Sequence, residues 1–114
     1  MAETFQRTST QLLTTGATDI YAAPSGAPSD RAVVLACVAT NVDGVDPVDV
    51  SVDITTAGDT VLSSFASTIT VPPNASLELV ANKLILVDGE KLRASSSVAS
   101  GLDMAVSVLE ITNS

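Results

Sequence analysis

Three carboxylates stand close together in one loop-like stretch of the sequence, at Asp43, Asp46 and Asp49. Carboxylate oxygens are the hard ligands that Ca²⁺ prefers in proteins. Their spacing does not match the helix–loop–helix calcium loop, which ends on a bidentate Glu. These three residues are the best metal candidates in the sequence, but the preferred interpretation is an acidic loop facing solvent, with neither metal nor cofactor.

Other reactive residue types are sparse. The chain has no His, which excludes Ser-His-Asp and Cys-His catalysis as well as a His-ligated metal. Cys37 is the only cysteine and lies in an apolar run, so we expect a small buried hydrophobe and a fold made in a reducing cytoplasm. Glu78 and Glu90 could form a glycosidase carboxylate pair, but without an aromatic platform they are interpreted as surface charges. The sequence therefore predicts a protein that is not an enzyme.

The chain is acidic, with a formal net charge of -8. Its five basic residues are scattered, at Arg7, Arg31, Lys83, Lys91 and Arg93. No basic stripe is available for a phosphate backbone or an anionic membrane surface, so we expect neither partner. No apolar run reaches membrane-spanning length and the N-terminus shows no basic segment followed by an apolar stretch, so we expect a soluble, unprocessed protein. The acidity either matches a basic protein surface or serves solubility alone.

A strict alternation of apolar and polar residues runs through Val48–Thr55 and recurs along most of the chain. Segments of this kind are separated by Gly, Pro and Asn turns, which is typical of short antiparallel strands. The sequence predicts an all-β protein, an antiparallel β-sandwich of eight or nine short strands. Both the immunoglobulin-like and the jelly-roll arrangements fit this spacing.

The 114 residues make one ordinary domain. Residues 1–15 are polar and are predicted to form an N-terminal arm, with one short edge strand near residues 11–14, while residues 16–114 form the sandwich. The last strand alternates until Glu110 and Ile111 break the pattern, which indicates a bulge or a change of environment.

Several short motifs give the chain a resemblance to a known family. They are a strand ending in Tyr21-Ala-Ala-Pro24, an apolar strand ending in Asn41, a turn at Val71-Pro-Pro-Asn74, a hairpin at Leu86-Val-Asp-Gly-Glu-Lys-Leu92, and a final alternating strand. This arrangement, over about residues 17–112, resembles small β-sandwich structural proteins of tailed bacteriophages.

The resemblance transfers no active site. It implies a virion protein assembled in the bacterial host cytoplasm and present in many copies. It implies most often a capsid decoration (cement) protein, otherwise a tail, neck or fibre component. The implied partners are the major capsid protein or other virion proteins, together with further copies of the chain in a homo-oligomer such as a trimer.

Two apolar runs are candidates for burial between copies. The first, residues 32–39, is apolar at both parities of the alternation and offers Val33 and Leu35; the second, Leu84–Val87, offers Leu84 and Leu86. Ordinary core is the alternative for both runs, and the polar arm could reach across a neighbour. A Ca²⁺- or glycan-binding adhesion module using the acidic loop is a further hypothesis, disfavoured by the low aromatic content.

Overall fold

The computed structural model describes residues 2–24, 30–43, 45–80, 84–87 and 89–112; Lys83 and Asp88 therefore lie outside the described residues. Within these ranges the chain forms nine β-strands and no helix, which confirms the all-β prediction. In this part of the chain no helix is long and apolar enough to cross a membrane. The strands are β1 (Ala2–Leu12), β2 (Thr18–Ala22), β3 (Arg31–Asn41), β4 (Val48–Thr55), β5 (Val61–Val71), β6 (Ser76–Glu78), β7 (Leu84–Val87), β8 (Lys91–Ser96) and β9 (Leu102–Thr112).

Two antiparallel sheets make up the sandwich. The first has the order β1-β9-β3-β6, and β7 pairs with β3 beside β6; the second has the order β2-β8-β4-β5. Among these pairings only β4 and β5 are neighbours in sequence as well as in the sheet. This long-range pairing, in which the chain crosses repeatedly between the sheets, is the jelly-roll arrangement and decides against the immunoglobulin-like alternative.

The core lies between the sheets and is filled by the inward side of each alternation. Val48, Val50 and Val52 of β4 are fully buried, as the sequence predicts. Near the end of that strand the pairing with β5 shifts between Ile54 and Thr55, so Thr55 is buried and Ile54 is only partly so. Cys37 is fully buried, which confirms its interpretation as a core residue.

A β-bulge in β3 explains why this strand is apolar at both parities. Its register with β9 shifts between Val34 and Ala36. Val34 points inward before the shift and Cys37 after it, so Leu35 is turned outward and is 37% exposed. No such shift occurs near Glu110, because β9 pairs with β1 without interruption from Leu102 to Thr112. Of the two explanations for the broken alternation, a bulge or a change of environment, the structure therefore supports the second. Glu110 lies on the inward side of β9, where its carboxylate accepts a hydrogen bond from the Tyr21 hydroxyl.

The N-terminal segment is more regular than its composition indicates. β1 pairs with β9 from Ala2 to Leu12, so the prediction of a short strand near residues 11–14 is wrong. Among the described side chains of β1, only that of Leu12 is buried. Backbone hydrogen bonds to β9 hold the strand with little help from apolar side chains, and the alternation that reveals a strand is consequently missing from this part of the sequence.

Candidate functional site

In the acidic loop, the carboxylates of Asp43 and Asp49 accept hydrogen bonds from other groups of the same chain. Asp43 Oδ1 accepts hydrogen bonds from the amide nitrogens of Val45 at 2.9 Å and Asp46 at 3.3 Å. Asp49 Oδ1 accepts one from the Thr70 hydroxyl at 2.7 Å. In the described ranges no three Asp, Glu, Cys or His side chains are grouped to hold a metal ion. The structure therefore does not bring Asp43, Asp46 and Asp49 together as a ligand set.

Glu78 and Glu90 also accept hydrogen bonds from backbone amides. Glu78 Oε2 accepts hydrogen bonds from the amides of Cys37 at 2.8 Å and Val80 at 3.1 Å. It fills the gap along β3 between its pairings with β6 and with β7. Glu90 Oε1 accepts a hydrogen bond from the Val87 amide at 2.8 Å and closes a turn. Each carboxylate thus has a local structural role.

Asn41 joins three parts of one end of the sandwich. Its side chain is 1% exposed, and Nδ2 donates hydrogen bonds to the carbonyl oxygens of Asp46 at 3.0 Å and Val71 at 2.9 Å. Oδ1 accepts a hydrogen bond from the Asp43 amide at 2.8 Å. Asn41, which ends the apolar strand of the phage-protein resemblance, therefore holds neighbouring loops together by hydrogen bonds.

Tyr21 links the two sheets at the other end. Its hydroxyl donates a 2.5 Å hydrogen bond to Glu110 Oε2, which joins β2 of the second sheet to β9 of the first. Burial of the ring raises the pKa of Tyr21 far above its usual range, and the hydrogen bond to the Glu110 carboxylate raises it further. Tyr21 therefore stays protonated and neutral in the folded protein, as its place in the core requires.

The buried thiol predicts a loss of stability in mild alkali. Burial, with a smaller contribution from the Glu78 charge, raises the pKa of Cys37 from 9.0 to about 12. The folded state keeps this proton while the unfolded chain loses it, so stability is unaffected below about pH 9 and falls above it. We expect the free energy of unfolding to drop by about 1.4 kcal/mol per pH unit in this range. Denaturant titrations at about pH 8 and about pH 10 measure it.

A Cys37→Ala variant is the control for this prediction. Its unfolding free energy should be flatter between the two pH values, because the group that titrates in the unfolded chain is gone. Tyr21 and Lys91 also have raised pKa values, but their ordinary pKa values of 10.0 and 10.5 lie above the 9.0 of the thiol, so most of their effect begins above about pH 10. An equal decline in the variant and in the natural chain would contradict the assignment to Cys37.

The outer face of the second sheet is covered by paired polar groups. Lys91 Nζ lies 3.0 Å from Asp19 Oδ2 and also pairs with Asp59, while Arg93 Nε lies 2.7 Å from Asp19 Oδ1. The hydrogen bond with Lys91 lowers the pKa of Asp59, and the same bond raises that of Lys91. Lys91 and Arg93 thus meet water with their charges already paired.

The outer face of the first sheet carries a row of apolar side chains that crosses four strands. In the pairing registers Phe5 stands opposite Leu109, Leu109 opposite Val33, and Val33 opposite Ile85. We call these four residues the apolar row. At its two ends Phe5 is 75% exposed and Ile85 is 61% exposed. A contiguous apolar strip of this kind is typical of a contact surface.

Further apolar side chains flank the row. Val87 is 40% exposed and Leu35 is 37% exposed. Val87 stands opposite Arg31, two register positions from the pair of Val33 and Ile85, and the bulge of β3 places Leu35 just beyond Val33. Ile111 also stands opposite Arg31, on the side of β9. The apolar surface thus extends to both sides of the row.

The interface residues predicted from sequence are divided between surface and core. Val33 lies in the apolar row and Leu35 beside it. Leu84 packs against the core and Leu86 is fully buried within it, which is the ordinary-core alternative, so neither lies on this surface. The run Leu84–Val87 is apolar on both faces, so its sequence does not reveal which side points outward. The pairing of Val33 with Ile85 fixes the outward face.

Sequence reasoning also missed Phe5 and Leu109. Phe5 itself indicates a contact surface, because an aromatic side chain alone in a polar segment needs an apolar surface to pack against. Leu109 falls on the polar side of the β9 alternation and breaks it in the same way. Neither signal identifies its neighbours, since these come from three other strands.

Neither a protein-family model nor a curated protein matches the sequence. Solved structures do match. A chain from the pili described as disulfide-linked Bacillus endospore appendages has a TM-score of 0.58 and 15% identity, over 99% of this chain and 88% of that one. A chain of the acid-stable capsid of Helicobacter pylori bacteriophage KHP30 has a TM-score of 0.55 and 16% identity, over 100% of this chain and 90% of that one.

A third match comes from the T13 particle of infectious bursal disease virus, with a TM-score of 0.58 and 10% identity. It covers 96% of this chain but only 31% of that capsid protein. Identities this low establish a shared fold and nothing finer. The chain is thus similar, in its jelly-roll sandwich, to proteins from viral capsids and from a bacterial pilus.

Proposed function

We propose that this protein is a non-enzymatic structural component of a bacteriophage virion, a capsid decoration (cement) protein that binds the outer shell and stabilises it. The observation that carries the proposal is the apolar row, which a single copy leaves exposed on a fold shared with capsid chains. The carboxylates of Asp43, Asp49 and Glu78 support it, because they accept hydrogen bonds that hold the fold together, and the Cys37 thiol is fully buried.

Attachment in many copies gives such a protein its effect. A shell presents the same contact at every symmetry-related position, so many weak contacts act together against the internal pressure of DNA. Under this proposal the major capsid protein or another virion protein is the partner, and assembly takes place in the host cytoplasm. Residues 1–15 would act as an arm on the domain of residues 16–114 and contact a neighbouring subunit through the open edge of β1.

Particles made without this protein provide the test. They should assemble but release their DNA at a lower temperature, because the added contacts between capsomers are missing. Thermal release followed by a DNA-binding dye measures the difference, and adding back the purified protein should restore the original release temperature. Unchanged release, with the added protein failing to bind particles, would contradict a decoration role.

The rival within the virion is a tail, neck or fibre component, which the number of copies distinguishes. Quantitative protein analysis of purified particles should give a ratio to the major capsid protein near that of a shell-wide component. A ratio many times lower would favour the tail or neck instead. A Ca²⁺- or glycan-binding module is less well supported, because Asp43 and Asp49 already accept hydrogen bonds within the chain.

A filament subunit is the second candidate function, favoured by the near-complete overlap with the pilus chain. The pili of that comparison are described as disulfide-linked. Here the only cysteine is fully buried, and its thiol is held protonated. A filament of this chain would need non-covalent contacts, and negative-stain microscopy of the concentrated protein tests for it.

A further inference from the structure

The apolar row has charged neighbours of opposite sign at equal distances. On β1, Glu3 and Arg7 lie two residues to either side of Phe5, so all three side chains share the outer face. In the described part of the chain neither Glu3 nor Arg7 has an ion pair or side-chain hydrogen bond. The basic residues of the second sheet, Lys91 and Arg93, are in contrast paired with carboxylates of the same chain.

This pattern is complementary to itself. Two copies can be placed face to face, related by a two-fold axis that runs along the apolar row. Each row residue then meets its own counterpart, and Glu3 of one copy meets Arg7 of the other, twice. Stacked sheets cross at about 30°, which displaces the two charges by a few ångströms, a distance that an Arg side chain spans.

We propose that the outer face of the first sheet is a two-fold interface between two copies of this chain, built on the apolar row and closed by reciprocal Glu3–Arg7 ion pairs. This inference rests on the proposed function, because it takes the apolar row to be an assembly contact. It adds that the partner at this contact is a second copy of the chain. The pairing buries Phe5 and Ile85, the most exposed members of the row, and satisfies two charges that a single copy leaves unmatched.

The contact is expected to be weak in solution. Four strands and about five residues along each strand give a face of about 300–400 Å² per copy. Stable complexes bury about 800 Å² on each partner, so this face alone supports a transient pair. A high local concentration on a particle would make such a pair effective. Self-association must therefore be measured up to about millimolar concentrations.

Charge reversal on the full-length chain tests the geometry. By sedimentation equilibrium at physiological salt, Glu3→Arg alone and Arg7→Glu alone should each weaken self-association by about tenfold, because like charges then face each other twice. An equimolar mixture of the two single variants should associate at least as well as the natural chain, since every facing pair is again opposite in sign. The double variant Glu3→Arg with Arg7→Glu should also recover.

Failure of the mixture to associate would overturn the two-fold arrangement, as would a trimer in the natural chain. Thermal melting of each variant checks that it is folded. Ile85→Ser should abolish association, whereas Leu62→Ser, at an exposed apolar position on the second sheet, should leave it unchanged.

Cross-linking gives a second readout, because it traps a transient pair covalently. Residues that lie along a two-fold axis face their own counterparts across the interface, at the roughly 10 Å separation of stacked sheets. A short bismaleimide cross-linker spans that distance, so it should link a Phe5→Cys chain into dimers and should not link a Leu62→Cys chain. Equal cross-linking of both variants, or none with Phe5→Cys, would contradict the proposal. The decoration function is tested separately on particles: stabilised particles without pairing would refute only the interface, and pairing without stabilisation would refute only the decoration role.

Discussion

Replacing Leu86 by Ala is expected to lower the free energy of unfolding by about 2–5 kcal/mol, a value typical of a Leu-to-Ala cavity in a well-packed core. Leu86 is fully buried between the sheets, and among the described strands β7 pairs with β3 alone. The side chain therefore anchors a strand of only four residues. Urea unfolding followed by circular dichroism measures the change.

The next residue provides a matched control. Ile85 is 61% exposed on the same strand, so Ile85→Ala should change the free energy of unfolding by less than about 1 kcal/mol. The same replacement should weaken self-association, which Leu86→Ala does only by unfolding the chain. Equal destabilisation by the two variants would contradict the inward direction of Leu86 and the register of β7 on β3.

The Asn41→Ala variant is expected to lose about 3 kcal/mol of stability. The change leaves the carbonyl oxygens of Asp46 and Val71 without their amide donor, and the Asp43 amide without its acceptor. Each buried polar group left unpaired costs about 1–3 kcal/mol, and water entering the loop end recovers part of that cost. Thermal and urea unfolding both measure the loss.

Two further variants isolate the role of the Asn41 amide. Asn41→Asp keeps an oxygen for the Asp43 amide but loses both N–H donors, so it should be as damaging as Ala at neutral pH. Thr40→Ala, one residue away, removes only an exposed hydroxyl contact with Ser76 and should cost less than about 1 kcal/mol. A mild Asn41→Asp phenotype would show that the two carbonyl contacts contribute little.

The candidate surface could be predicted only in part. Val33 and Leu35 could be predicted as contact residues because their run is too apolar for a strand with one face in water. The apolar side chains that the core does not take must be buried against something else. Sequence cannot divide Leu84 and Leu86 between core and surface, because both faces of their short run are apolar. Phe5 and Leu109 can be recognised as part of the surface only once they are known to lie beside Val33. That placement comes from strand pairings between residues far apart in the chain.

Local side-chain chemistry alone determined the all-β class and several strand bounds. β4 and β7 have the bounds that their alternation and apolar run predict, at Val48–Thr55 and Leu84–Val87. The lack of His and the apolar run around Cys37 are equally properties of the sequence. These features are local because a strand's two faces are set by neighbouring residues, whatever strand lies beside it.

Tertiary structure alone decided the jelly-roll order, the length of β1, the bulge at Leu35 and the apolar row. In each case the deciding interaction is a hydrogen-bonded pairing between strands distant in sequence, most of all those of β9 with β1 and β3. The period of two residues tells which side chains share a face of one strand. It carries no information about which strand lies next to it, and a surface that crosses four strands exists only once that choice is made.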